Sequence, residues 1–156
     1  MEITRIDGNF SRWDELLALI LSSFAYMDGV IDPPSSAHKL TLASLAQKAK
    51  DEIGFIATHE GKIAGCMFLK PEEKCLYVGK LAVAPGVQGK GLGRKLLDVA
   101  EEIAKAMQLP ALRLETRIEF IGNQTTFSRW GFFKSAEGSH YGFTRKTFVE
   151  MRKEMI

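Results

Sequence analysis

The chain has 156 residues, 46% of them apolar and 26% charged, with Lys plus Arg exceeding Asp plus Glu by 21 to 19. That is the profile of a globular domain long enough to bury roughly 68 to 70% of its unfolded surface without metal or disulfide staples. A net charge of +2 excludes a general electrostatic footprint for nucleic acid. The two cysteines, Cys66 and Cys75, lie inside apolar runs and make neither a metal-ligand spacing nor a disulfide framework. No stretch reaches the roughly 18 apolar residues of a membrane span and the start of the chain has no signal-peptide pattern, so a cytoplasmic protein without a membrane partner is expected.

In chain order, residues 3–6 make a short strand, and Asn9 or Ser11 offers an N-cap for a run carrying Trp13, Leu16, Leu17, Ile20, Leu21 and Phe24 at helical spacing. Residues 28–36 collect Gly, Pro, Asp and Ser, which is turn chemistry, and Ser35 or Ser36 can cap a second helix that ends near Lys50. Three apolar runs follow, at residues 53–58, 63–69 and 75–83, and read as an antiparallel meander whose first turn is Glu60-Gly61-Lys62. Leu92, Leu96, Leu97, Ala100, Ile103, Ala104 and Met107 then line one face of a helix, with Lys95, Asp98, Glu101, Glu102 and Lys105 on the other. Pro110 stops it, and residues 111–116 alternate as a strand. A short helix over residues 124–130, a strand from Gly131, a turn at Glu137 and Gly138 and a last strand over residues 143–151 complete an α/β chain. No repeat or linker interrupts it, so one domain over residues 1–156 is expected.

The segment over residues 81–94, Leu-Ala-Val-Ala-Pro-Gly-Val-Gln-Gly-Lys-Gly-Leu-Gly-Arg, runs from a strand through a glycine-rich loop into the best-defined helix. The first amides of a helix have no internal partner and sit at its positive end, and glycine lets an anion approach the backbone. Lys90 and Arg94 add positive side chains there. The nucleoside-triphosphate loop needs Ser or Thr after Gly-Lys, and Gly91 stands in that place; the dinucleotide fingerprint needs a third glycine where Leu96 stands.

The segment resembles the acyl-CoA loop of the GCN5-related N-acetyltransferase (GNAT) family, Gln or Arg, two residues, Gly, one residue, then Gly or Ala, matched by Gln88, Gly91 and Gly93. Val83 and Pro85 on the preceding strand, Leu96 and Leu97 in the helix and the late Gly131-Phe132 extend the likeness. The resemblance implies a mixed, mostly antiparallel twisted sheet of 6 to 7 strands with about four helices, in the order β-α-α-β-β-β-α-β-α-β-β. It implies acetyl-CoA as acyl donor, with its pantetheine arm beside Leu81, Ala82 and Val83 and its pyrophosphate on Gln88, Gly89, Lys90, Gly91, Leu92, Gly93 and Arg94. Asn123 is the matching cofactor contact. Phe127, also beside the cofactor, stands where the family often has the Tyr that protonates the leaving thiolate.

The expected reaction is acetyl transfer to a primary amine of a small molecule or peptide by direct attack. A backbone N–H near Val83 serves as oxyanion donor, Glu115 or water takes the amine proton, and Tyr141 or His140 replaces the missing acid. Glu115 also has Arg113 and Arg117 as plain ion-pair alternatives. The family places its substrate-covering loop where Tyr26, Met27 and Asp28 end the first helix, and Asp28 and Asp32 are candidates to meet a cationic amine. A catalytically weak acyl-CoA sensor or partner subunit is the alternative function, favoured by Phe127. Phe143, Phe148 and Met151 suit either a homodimer face or a monomer core. Neither a metal nor a nucleic-acid partner is expected.

Overall fold

The computed structural model describes residues 1–155. Its elements run β1 (Glu2–Arg5), α1 (Trp13–Phe24), α2 (Leu42–Asp51), β2 (Ile53–His59), β3 (Lys62–Pro71), β4 (Leu76–Val83), α3 (Leu92–Ala106), β5 (Ala111–Arg117), α4 (Ile121–Arg129), β6 (Phe133–Gly138) and β7 (Phe148–Glu154), the predicted order. The seven strands form one sheet, β1-β2-β3-β4-β5-β7-β6. Every neighbouring pair is antiparallel except β4 with β5.

Two cores cover the two faces. On one, α3 packs Leu92, Leu96, Leu97 and Ala100 against Met67, Leu76, Val78, Leu112 and Leu114. On the other, Leu16, Leu19 and Ile20 of α1 and Leu45 of α2 pack on Ile56, Cys66 and Phe68. Strand alternation delivers neighbouring residues to opposite faces, so β3 feeds both cores and is buried from Ile63 through Leu69.

Several boundaries differ from expectation for local reasons. Helix α1 is preceded not by an Asn9 or Ser11 cap but by Arg12, which has no side-chain cap bond; Arg12 instead chelates Glu15 at 2.9 Å and donates to the Gly61 carbonyl at 2.7 Å. Glu15 in turn accepts from the Ile63 amide at 2.8 Å, so helix and hairpin are tied together. Ser35 caps a single 3-10 turn, Ser36–Lys39, and α2 is capped by Thr41 in a reciprocal box with Ser44. Helix α4 begins three residues before Gln124. Glu137 and Gly138 belong to β6, and the turn follows them; β7 begins at Phe148, five residues later than expected, where pairing with β5 at Arg117 starts. Met151 is core, so it offers no dimer face.

Candidate active site

The parallel pair holds for only two residue pairs, Leu76 with Leu112 and Tyr77 with Arg113, after which β4 and β5 diverge. The gap between them is a cleft of about 1250 Å³ that runs through the sheet. On the α3 and α4 side it is lined by Gly91, Gly93, Arg94, Asn123, Phe127 and Trp130; on the α1 side by Tyr26, Met27, Pro34, Ser36, Lys80 and Arg117.

Strand β4 carries a bulge here. Phe68 pairs with Gly79 and Cys66 with Ala82, so one residue of β3 faces two of β4, and Lys80 takes a left-handed φ of 49°. The bulge sends Leu81 and Val83 to the α3 face and Lys80 to the opposite one. Past it, the Ala84 amide bonds back to Ala64 of β3 at 2.8 Å. By alternation Val83 turns its own N–H and C=O away from β3. The Val83 carbonyl indeed accepts from Ser23 Oγ at 3.2 Å and Gln88 Nε2 at 3.3 Å, which places its N–H on the cleft side with no β5 residue opposite.

The loop ahead of α3 closes the first mouth. Gly91 caps the helix with φ 82° and no side-chain bond, and Gly89 shares that φ. A Cβ on Gly91 would meet nothing within 4 Å, so the conformation, not crowding by the protein, is what demands glycine. No acceptor among the described residues takes the amides of residues 89–94, and Arg94 has only a loose 3.8 Å pairing with Asp98. These free amides at a helix N-terminus fit an anion. Leu81, Ala82, Val83, Gln88, Gly89, Gly91, Leu92, Gly93, Arg94, Asn123 and Phe127 all line the cleft; Lys90 is exposed beside it. Asn123 Nδ2 donates to the Tyr26 hydroxyl at 3.1 Å, bridging α4 to the end of α1. Phe127 stacks edge-on against Trp130 and Phe132 and carries no hydroxyl into the cleft.

On the acceptor side, Glu115 accepts from Arg113 Nη1 at 2.7 Å, and Arg113 also grips Glu72 with two bonds of 2.9 and 3.0 Å. Arg117 is therefore not the partner of Glu115. Arg113 holds the Glu72 carboxyl below its ordinary range. Burial, reinforced by the Glu115 charge, pushes the Tyr77 hydroxyl up to about 12, so it stays protonated. His140 lines the cleft with Nδ1 at 2.5 Å from Thr147 Oγ1. Burial, with Arg117 nearby, lowers its pKa from 6.5, which favours the neutral ring and opposes the expected acid role.

Three expected residues lie elsewhere. Tyr141 is fully exposed and outside the cleft, because the turn over residues 139–142 projects it into solvent. Asp28 pairs outside with His38 Nε2 at 2.6 Å, and Asp32 offers its backbone carbonyl to Arg145; neither lines the cleft. Both cysteines are buried and free, and burial pushes the Cys66 thiol up to about 12, which suppresses nucleophilic thiolate. Lys80 had no sequence signal, since its facing depends on a bulge. Among the described residues there is no cluster able to hold a metal ion and no helix long and apolar enough to cross a membrane.

A sheet split by a bulged strand, with free helix-terminal amides at the split, is the arrangement of an acyltransferase, and the chain belongs to the acetyltransferase (GNAT) family, whose sequence model matches residues 13–132. It is 31% identical over 132 residues, 83% of this chain and 84% of the relative, to an IAA acetyltransferase of Azospirillum brasilense. Its fold is similar to that of PaiA N-acetyltransferase from Thermoplasma acidophilum in complex with coenzyme A, with TM-score 0.82, 17% identity and 99% and 100% of the two chains covered. It is also similar to that of a GNAT family acetyltransferase from Elizabethkingia anophelis with acetyl-CoA bound, with TM-score 0.69, 18% identity and 99% and 97% coverage.

Proposed function

We propose that the chain, acting as one catalytic unit, moves acetyl from acetyl-CoA to a primary amine of a small molecule or peptide by direct attack. The observation that carries this is the cleft through the sheet, with unpartnered amides of residues 89–94 at one mouth and proton-accepting side chains at the other. Acetyl-CoA supplies an activated thioester carbonyl. The loop amides with Arg94 hold its diphosphate, and the β4 edge at Leu81 and Val83 takes the pantetheine amides in place of a missing strand.

The Val83 N–H stabilises the carbonyl oxygen as charge develops on it. Glu115, which lines the cleft with Oε2 held by Arg113, takes the amine proton, directly or through water; His140 is the second group able to do so. The amine nitrogen forms the new C–N bond, the C–S bond breaks with its electrons on sulfur, and the thiolate takes a proton from solvent. A thiolate whose conjugate acid has a pKa of roughly 8.5 leaves near neutral pH without a dedicated acid, which is compatible with Phe127.

Thermal unfolding with acetyl-CoA, ATP and NAD, followed by CoA release with an amine panel, tests this. Stabilisation by acetyl-CoA alone together with amine-dependent CoA release is expected; the absence of both refutes it. Phe127 favours one other reading, a sensor or partner subunit that binds acyl-CoA without turnover, and binding with no CoA release from any amine would establish that instead.

A further inference from the structure

The acceptor mouth carries an unusual charge balance. Among the described residues Glu115 is the one carboxylate lining the cleft, and one of its oxygens is held by Arg113. Lys39, Lys80 and Arg117 line the cleft too, and none of them has an ion-pair partner among the described residues. Lys80 donates to the hydroxyl of Ser36 alone. Arg117 donates through Nη2 to the Pro34 carbonyl at 3.1 Å, while its Nη1 is buried with no acceptor at all, the one such side-chain nitrogen or oxygen among the described residues.

Leaving a buried guanidinium nitrogen unbonded and setting like charges together are both costly, and a native site normally answers such costs with a partner. Neighbouring carboxylates attract this guanidinium without bonding it: Glu119 is drawn to Arg145 at 4.0 Å, and Asp32 acts from outside the cleft. Arg145 adds a further positive charge near Arg117. Burial, and then repulsion from Lys48 and Arg117, lowers the Lys80 pKa, so an arriving anion would relieve strain already present. Arg117 Nη1 is closed to the cleft and Nη2 is taken, so Arg117 acts there as a fixed positive charge, and Lys80, which lines the cleft, is the donor able to reach an arriving anion.

We propose that the acceptor is an amine that also bears a carboxylate, and that Arg117 and Lys80 seat this carboxylate on the α1 side of the cleft. The inference rests on the acetyl-transfer reading above. It assigns Arg117 and Lys80 to specificity and leaves proton transfer to Glu115 and His140. The segment over residues 34–39, tied by Arg117 at the Pro34 carbonyl and by Lys80 at Ser36, brings Lys39 to the lining of the same cleft.

The test compares matched amines with acetyl-CoA as donor: α-amino acids, ω-amino acids, the corresponding primary amides, and alkylamines of equal length. Carboxylated acceptors are expected to exceed their amides in kcat/KM by at least about tenfold, because a site with unsatisfied ionic donors rejects the analogue lacking the partner. Which carboxylated series leads tells how far the amine stands from the anion. Arg117→Gln and Lys80→Gln should raise KM for the carboxylated acceptor, leave the amide's KM and the acetyl-CoA KM near wild type, and so collapse the preference. Arg117→Lys should recover part of it. Thermal unfolding of each variant without ligand verifies folding, and Lys80→Gln stands as the second variant if loss of the Pro34 bond unfolds Arg117→Gln. Equal use of amides and acids by the wild-type enzyme overturns the proposal while the acetyltransferase reading stands; failure to bind acetyl-CoA overturns both.

Discussion

Gly91→Ala separates what the loop contributes to folding from what it contributes to ligand. At φ 82° a Cβ meets no protein atom within 4 Å, so the cost in the free protein is backbone strain alone, ~1–2 kcal/mol for an L-residue in the left-handed region. At ~2–4 °C per kcal/mol for a domain of about this size, the unliganded midpoint should fall by ~2–8 °C. The new methyl also protrudes where the diphosphate is proposed to lie. A tenfold weaker affinity would cut the acetyl-CoA increment from ~2.7 kcal/mol at a hundred times the wild-type Kd to ~1.4 kcal/mol at the same concentration. Gly93→Ala is the control for the folding cost alone: it has no positive φ, its Cβ would touch Trp130 at an ordinary 3.4 Å, and helix propensity favours Ala there by up to ~1 kcal/mol. Differential scanning fluorimetry over an acetyl-CoA series reads all of this. A Gly91→Ala protein that unfolds at the wild-type temperature refutes the strain assignment. One that is destabilised yet keeps the full increment refutes the amide site.

Glu115→Gln should lower kcat by ~10²-fold or more; Tyr141→Phe should leave kcat unchanged, and a reversal of these outcomes would relocate the base. Phe127→Tyr should alter kcat at neutral pH by less than about threefold, because the thiol's ordinary pKa of ~8.5 makes it a fair leaving group; a tenfold gain would show that an acid is missing. His140 has a folded pKa below 6.5, so the unfolded chain binds the extra proton first: its stabilisation is complete above pH 6.5 and is lost as pH falls from there through the folded value. Denaturant titrations should show this step and His140→Gln should flatten it. Glu15 and Glu72, depressed below 4.5 by the Ile63 amide and by Arg113 respectively, should produce a second loss at more acid pH.

Much of the architecture was legible because burial and period coincide. The helical stripe of α3 and the apolar runs of β2, β3 and β4 each have one face, or two, that water must not see, and their boundaries fell within a few residues of prediction. The loop was legible too, since positive φ at Gly89 and Gly91 leaves a compositional trace. The end of the chain was harder. Residues 139–147 hold no periodic pattern; Thr147 is buried by its bonds to His140, a tertiary contact with no local sign, and so β7 was placed too early. The acceptor side failed for a related reason. Acidic residues in a loop look like cation receptors, but Asp28 turns outward to His38, while Lys80 reaches the cleft through a bulge that strand periodicity cannot anticipate.

The split between β4 and β5 has a kinetic consequence. Because residues of both faces of the sheet line the gap, the proposed reaction brings donor and acceptor in from opposite sides to meet beside Val83. In the proposed direct attack neither vacates its place for the other and no acylated enzyme forms; burial, which raises the Cys66 thiol, disfavours that residue as an acyl carrier. Initial rates plotted against each substrate should therefore give intersecting rather than parallel reciprocal lines, and coenzyme A should depart by the way it came without obstructing release of the acetylated amine.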